Sequence, residues 1–345
     1  MQENSISVVL EFIREHPNCS SKDIFEKANP TVGLATIKRI LQKNVALKYI
    51  EVFGKGKNTR YQLGAYYQFL YPIEIDTYFE KELDERNSSN NFNFEVFEIF
   101  KSIAVFDKYE LENLNELQNK FKSNTNHLTA AEYQNELERL AIDLSWKSSQ
   151  IEGNTYSLLE TERLLKDKET ASGKTKEEAI MLLNHKEAID FIVANPDYLE
   201  TLTVAKLESI HGILIKDLGV DKNIRKQRVG ITGTNYRPLD NEFQIREALE
   251  ELCEVINKES NVFIKTLSAL VLLSYIQPFN DGNKRTARII SNAILINNQY
   301  CPISFRTVDT LKYKKAMLVF YEQNNIFPFK NIFITQFDFA VNNYF

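Results

Sequence analysis

Cysteine is scarce in this chain. There are three in 345 residues, Cys19, Cys253 and Cys301, too far apart for any metal-binding or redox spacing. With no signal-peptide pattern ahead of them they read as buried thiols in a reducing compartment, so the expectation is a cytoplasmic protein. Long apolar runs are missing as well. The longest, "LSALVLLSYI" at 267–276, falls short of the roughly 20 residues that span a bilayer, so no membrane partner is expected. Neither an internal repeat nor a heptad seam is present. No strong charge of one sign stands out: 42 Lys and Arg face 47 Asp and Glu, a net charge of −5, which argues against a chain coated in nucleic acid. Histidine occurs only four times, as His16, His127, His185 and His211.

What is present is a globular composition, 43% apolar and rich in Phe and Tyr, long enough for two or three domains and a sizeable core. Charge is unevenly placed. Residues 1–66 hold ten Lys and Arg against six Asp and Glu, about +4, which leaves about −9 for the rest. In this module Ile6, Val9, Leu10 and Ile13 share one helical face, and Ser20 or Ser21 is placed to cap a second helix. A third helix turns Leu34, Ile37, Ile40 and Leu41 inward. "YIEVF-GKGKN-TRYQL" then reads as two short strands around a glycine-rich turn. Three helices and a hairpin resemble a winged helix-turn-helix. That resemblance implies double-stranded DNA as a partner, met by Lys38, Arg39 and Lys43 on the third helix and Lys55, Lys57 and Arg60 on the wing. The same charges would also suit a solvated basic face or a protein contact.

Residues 67–94 are expected to be a connector, most loop-like at "ERNSSNN". From 95 to 345 the pattern is almost wholly helical, so the chain is read as mainly α. One stretch breaks the rule: "KQRVGITGTNYRPLD", 226–240, is glycine-rich and β-branched, more like a hairpin than a helix.

Chemistry concentrates in "YIQPFNDGNKRTAR", 275–288. Pro278 disfavours helical geometry at Gln277, so one helix should end there, and Gly282-Asn283 should begin the next. A helix N-terminus with a glycine that admits close approach is an anion site, and Lys284, Arg285 and Arg288 add positive charge to it. Asp281 beside it suits Mg²⁺, which usually takes one carboxylate together with substrate phosphates. A salt-bridged helix cap would use the same residues.

The stretch resembles the Fic/Doc signature H-x-F-x-[DE]-G-N-[GK]-R-x-x-R, matching at Phe279, Asp281, Gly282, Asn283, Lys284, Arg285 and Arg288. Upstream, "SSQIEGN" at 148–154 resembles the inhibitory motif [ST]-x-x-x-E-[GN] of that family, through Ser148, Glu152 and Gly153. The resemblance implies an all-helical domain over about 95–345, with an inhibitory helix at about 140–153. It also implies a β-hairpin flap at about 228–238, where Gly230, Ile231, Thr232 and Gly233 would dock an extended target segment. The implied activity is transfer of AMP from ATP, with Mg²⁺, to a hydroxyl of a target protein. Glu152 would pair with Arg288 and block the γ-phosphate. Family members are also regulated through dimer contacts, which makes a homodimer a further implied partner.

Position 277 departs from the pattern. The family's histidine accepts the hydroxyl proton, and Gln277 has no usable proton affinity near neutral pH; such base assistance is typically worth about 10²–10⁴-fold. Transfer is therefore expected to be weak or absent as the sequence stands. Two alternatives follow: a catalytically silent, ATP-responsive regulator acting through a DNA-binding winged helix, and, because Lys284 matches the Doc toxins, a Doc-like protein kinase. The four histidines are expected to be ordinary core or surface imidazoles rather than substitutes for the missing base.

Overall fold

The computed structural model describes residues 2–28, 30–86 and 88–345. It divides into two compact units, 1–73 with 323–327, and 74–322 with 328–345.

In the first unit, α1 (Gln2–Glu15), α2 (Ser21–Lys27) and α3 (Leu34–Ala46) precede two antiparallel strands, β1 (Ile50–Phe53) and β2 (Arg60–Leu63), and then α4 (Ala65–Leu70). Ile50 lies opposite Leu63 and Phe53 opposite Arg60. The expected faces close on one another: Val9, Leu10 and Ile13 meet Ile24, Ile37, Ile40, Leu41 and Ile50 in one core. Leu34, expected inward, is only half-buried at the start of α3. Ser20 is the cap of α2. Its Oγ accepts from Asp23 N at 3.1 Å while Asp23 Oδ2 accepts from Ser20 N at 2.8 Å, a reciprocal pair of the kind that stabilises a helix start by about 1 kcal/mol.

The first unit runs past residue 66. Phe69 of α4 is fully buried, its carbonyl accepts from Ile326 N at 2.8 Å, and Asn325 Nδ2 donates to the carbonyls of Gln68 and Tyr71. The distant segment 323–327 thus belongs here, which no local pattern announces. The rest of the expected connector, from 74 onward, carries a short helix α5 (Ile75–Tyr78) and a single 3₁₀ turn at Leu83–Glu85, and belongs to the second unit.

Beyond α5 that unit is helical: α6 (Glu95–Ser102), α7 (Lys108–Thr125), α8 (Ala130–Ile151), α9 (Leu158–Asp167), α10 (Lys176–Ala194), α11 (Val204–Leu214), α12 (Glu242–Lys258), α13 (Val262–Ile276), α14 (Asn283–Asn297), α15 (Thr310–Gln323) and α16 (Phe327–Asn343). The α13 sequence is apolar on every side, and such a helix must be enclosed. It lies at the centre against α12 and α14, and its Thr266 and Ser274 hydroxyls are satisfied by the carbonyls one turn back, of Val262 and Leu270. The aromatic C-terminal stretch packs as expected, with Phe329, Phe333 and Phe337 buried along α16. All three cysteines are buried and unpaired. Among the described residues no helix is long and apolar enough to cross a membrane.

The hairpin expected around 228–238 is corrected by the structure. The stretch turns at Gly233, whose φ of +87° suits glycine, but its two arms form no ladder with each other. Pro238 removes a donor, Tyr236 N donates to Thr234 Oγ1, and Arg237 N donates to Asn90 O instead of to the facing arm. The flap is a bent loop.

Candidate nucleotide site

The site is the turn between the two innermost helices. α13 stops at Gln277, which takes the left-handed conformation at φ +51°; α14 starts after Gly282, at φ +81°. A Cβ at Gly282 would stand 3.2 Å from Ile215 Cγ2 and 3.3 Å from His211 Cδ2, so this position needs glycine for both space and conformation. Asn283 folds back to lace the loop together. Its Oδ1 accepts from Phe279 N at 2.8 Å, and its Nδ2 donates to Phe279 O at 2.8 Å and to Gln277 Oε1 at 3.1 Å. Below, His211 stacks flat on Phe279, with centroids 3.7 Å apart, and its Nε2 lies 2.9 Å from Asp281 O. Gly282 offers no capping side chain, so the first amides of α14 have no acceptor among the described residues. Open amides at a helix start are the feature that an anion site requires.

Gln277 is fully engaged. Its Nε2 donates to Ser274 O at 2.6 Å and lies 3.4 Å from the Tyr321 hydroxyl; its Oε1 is taken by Asn283; its backbone carbonyl accepts from Arg225 Nε at 2.7 Å.

Around this floor a cavity of about 340 Å³ is lined by Gln277 and the 280–285 stretch, by Glu152, by Val229 to Thr232 of the flap, and by α15. Most of the site residues read from the sequence therefore converge. Gly233 sits at the flap's turn, outside the lining, and Ser148 and Arg288 lie just behind it. Asp281 is well exposed and pairs with Arg285 at 2.9 Å. Its position on the cavity floor, beside the open amides, fits a carboxylate that shares a divalent cation with phosphate oxygens. Among the described residues there is no cluster of three or more metal-ligating side chains, so phosphates would have to complete such a shell.

The 148–154 stretch meets the 275–288 stretch directly. α8 ends at Ile151, Glu152 forms its cap, and Gly153 follows with φ +102°. Glu152 Oε1 accepts from Arg288 at 2.7 Å, and its other oxygen lies 3.8 Å from Lys284 Nζ. Burial would push the Glu152 carboxyl up, but Arg288 and Lys284 beside it hold it below its ordinary value. Arg288, with no exposed side-chain surface, also donates through Nε to Ser148 Oγ at 2.8 Å and through NH2 to Ser148 O at 3.0 Å. Ser148 Oγ in turn lies 2.7 Å from His185 Nε2. At this site the buried Arg285 Nε and Arg288 NH1 have no hydrogen-bond partner among the described residues.

Neither His185 nor His211 lines the cavity. Both are held below the ordinary histidine value, chiefly by burial.

The sequence reading missed the wall supplied by α15: Tyr313, Lys314, Met317, Leu318 and Tyr321. A signal was there, since Tyr313, Met317 and Tyr321 recur every four residues, one helix face. It also missed Arg225, a buried arginine that bonds Gln227 O at 2.8 Å, Leu239 O and Gln277 O, and so fastens both feet of the flap to the signature loop.

In the first unit Lys38, Arg39 and Lys43 are exposed on α3, and Lys55 and Lys57 on the turn between the strands. Arg60 is different: its guanidinium bonds the turn's own carbonyls at Lys57 and Thr59.

Comparison with known proteins agrees with this geometry. Residues 201–295 match the Fic/DOC family. Among curated proteins, the chain is 22% identical over 209 residues to protein adenylyltransferase fic-1 of Caenorhabditis elegans, which covers 58% of this chain and 40% of that protein. It is 28% identical over 184 residues to protein adenylyltransferase Fic of Nematostella vectensis, covering 49% and 40%. The chain thus spans about two fifths of the length of these relatives. Among solved structures, Fic-1 from C. elegans superposes with a TM-score of 0.60 at 20% identity, covering 68% of this chain and 72% of that one. A Fic domain containing signaling protein from Bacteroides thetaiotaomicron gives 0.57 at 20% identity, covering 67% and 94%.

Proposed function

We propose that this chain, which carries a Fic/DOC family domain at residues 201–295, is a protein adenylyltransferase scaffold that binds Mg·ATP, is held inhibited by Glu152 and transfers AMP weakly or not at all because Gln277 stands in the base position. The observation that carries the reading is Gln277 itself: both atoms of its amide and its backbone carbonyl are bonded inside the protein, at the floor of a cavity whose other groups suit phosphate. An amide so placed holds the loop but takes no proton. Asp281 would share the Mg²⁺ with the phosphates, and the open amides of α14 with Lys284 and Arg285 would bind the phosphate oxygens. Gly230 to Thr232 would lie along an extended target segment whose hydroxyl points to the α-phosphorus. Arg288 would meet the γ-phosphate only once Glu152 lets go.

The test is transfer from α-labelled ATP with Mg²⁺ by the parent, Gln277→His, and Gln277→His with Glu152→Gly, read as self-labelling. Label should be faint or absent in the parent, appear with histidine, and rise in the double variant. Robust labelling by the parent, or label arriving from the γ-phosphate as in a Doc-like kinase, overturns the reading.

A second reading is favoured by the first unit. Its three helices, hairpin and exposed cations suit a winged helix that contacts double-stranded DNA. With transfer silenced, ATP binding in the second unit would then be the signal of a regulator rather than the first step of a reaction.

A further inference from the structure

In the stretch 74–93, which has no obvious task in the chemistry, the described residues close on the flap. Ser89 N donates to Glu322 O at 2.8 Å, Arg237 N donates to Asn90 O at 3.0 Å, and Asn91 and Arg237 form an isolated parallel bridge. Asn235 Nδ2 donates to Asp84 Oδ1 at 3.1 Å. Among these contacts lies Arg86, whose side chain is only 5% exposed. Its NH2 donates at 2.8 Å to the carbonyl of Gly233, the flap's turn. Its NH1 lies 3.1 Å from Glu322 Oε1 on α15, and the guanidinium sits 4.8 Å over the ring of Phe79. The buried Glu322 carboxylate is fixed in turn, since its Oε2 accepts from the Tyr78 hydroxyl at 2.6 Å.

A buried arginine with one nitrogen on a carbonyl and another on a buried carboxylate fixes the distance between the elements that carry them, because its planar fork cannot follow one without leaving the other. Here those elements are the flap's turn and α15, which are two walls of the nucleotide cavity. The flap's arms are treated unequally. The second arm, Thr234 to Arg237, is bonded to 84–91, whereas the backbone of the first arm, Val229 to Thr232, makes no hydrogen bond with another described residue.

We propose that segment 74–93 is a built-in clip on the flap, that Arg86 is its positioning residue, and that the clip dedicates the flap's edges: the second arm is taken by the chain itself, and the first arm, over the cavity, is left to pair with an extended, hydroxyl-bearing target segment. The identity of that segment rests on the adenylyltransferase reading; the clip is a property of the fold. Its effect is preorganisation. A loop ordered before the target arrives has less freedom to lose on binding.

The experiment is hydrogen–deuterium exchange of the full chain, without nucleotide or target, on the parent, Arg86→Ala, Arg86→Lys and Asn235→Ala. Arg86→Ala should speed exchange of the bonded amides of Tyr236, Arg237 and Ser89, read in peptides covering 228–240 and Ser89, by about ten- to a hundred-fold, with α13 and α14 unchanged. Arg86→Lys keeps a charge beside Glu322 but loses the fork, and should give a smaller increase confined to the same peptides. If Arg86→Ala does not fold, Arg86→Lys and Asn235→Ala carry the test. Exchange in 228–240 equal to that of the parent, or an increase shared equally by α13, overturns the clip. ATP affinity measured on the same samples separates the two readings. A flap loosened by Arg86→Ala in a protein that does not bind ATP leaves the clip standing and refutes the function; ATP binding with an unmoved flap does the reverse.

Discussion

Replacing Glu152 by glycine isolates the clamp on Arg288. The position is a helix cap followed by Gly153 at φ +102°, so a glycine there disturbs little backbone, and the effect is that of the lost carboxylate. Arg288 has no exposed side-chain surface, and in the variant it keeps only its two bonds to Ser148. Breaking a fully buried pair from one side costs about 3–5 kcal/mol. Glu152 faces the cavity with 21% of its side chain exposed, so water can enter in its place and the cost belongs at the lower end, about 3 kcal/mol. At about 2–4 °C per kcal/mol for a domain of this size, the melting temperature without ligand should fall by roughly 6 °C or more. On the adenylyltransferase reading, Mg·ATP acts in the opposite sense. In the parent the nucleotide must displace Glu152 to reach Arg288, whereas in the variant Arg288 is waiting for an anion. A charge-assisted hydrogen bond contributes about 1.5–3 kcal/mol, so ATP should bind about ten- to a hundred-fold more tightly and restore most of the lost stability. Calorimetric titration alongside thermal melts reads both quantities, with a non-transferable ATP analogue as the ligand so that turnover confuses neither. If the variant melts earlier yet binds ATP no better than the parent, Glu152 is a structural strut and the argument that it competes with phosphate is wrong.

Two further outcomes can be measured. His185 and His211 are both held below the ordinary histidine value, chiefly by burial, so the fold keeps them neutral while the unfolded chain takes up protons below about pH 6.5. The unfolded state binds more protons in that window, so stability must fall as pH falls, by up to about 1.4 kcal/mol per pH unit for each histidine; urea unfolding at several pH values between 7 and 5.5 should show the slope, and a flat profile would contradict the burial argument. For the first unit, if Lys38, Arg39, Lys43, Lys55 and Lys57 all meet phosphate, the log–log salt slope of duplex binding should be about −4 to −5, and neutralising the three on α3 should remove about 3 of it. Fluorescence anisotropy with a short duplex decides this, and binding that ignores salt excludes the DNA reading.

Much of this site was legible because its parts are local. Pro278 stops α13, Gly282 opens α14, and Ser148 and Glu152 share a helix face, as spacing implied; that Glu152 meets Arg288 was implied only by the family resemblance. What was not legible depends on side chains meeting across long sequence distances. Arg225 and Arg86 look like surface arginines in a chain with 42 basic residues; only the fold shows that one fastens the flap's feet and the other its turn. The flap itself read as a hairpin because its composition is that of one. The pairing it lacked is supplied by Asn90, well over a hundred residues earlier, in a stretch whose polar composition suggested only a linker. The unit boundary failed for the same reason, since 323–327 joins the first unit through Asn325 and Ile326, whose sequence neighbours belong to the second.

On the adenylyltransferase reading proposed above, the two restraints on this site differ in kind. The Glu152 clamp is an equilibrium, so any anion that binds Arg288 better than a carboxylate does will open it. The Gln277 restraint is not an equilibrium, because no ligand gives an amide a usable proton affinity. Gln277 also does structural work that a histidine must take over. Asn283 Nδ2 has Gln277 Oε1 as an acceptor, and Gln277 Nε2 anchors to Ser274 O. The backbone conformation is no obstacle, since histidine is among the non-glycine residues enriched at positive φ. An imidazole at 277 that accepts from Asn283 with one nitrogen and donates to Ser274 with the other would hold the loop and still have no lone pair for a hydroxyl. Gln277→His with Asn283 intact should therefore regain less than the full effect of base catalysis unless nucleotide binding draws the Asn283 amide away. Nitrogen-15 NMR of the imidazole at 277, without and with a non-transferable ATP analogue, tests this: a ring nitrogen that accepts a hydrogen bond until the analogue binds is the expected result, and a nitrogen already free without nucleotide would refute it.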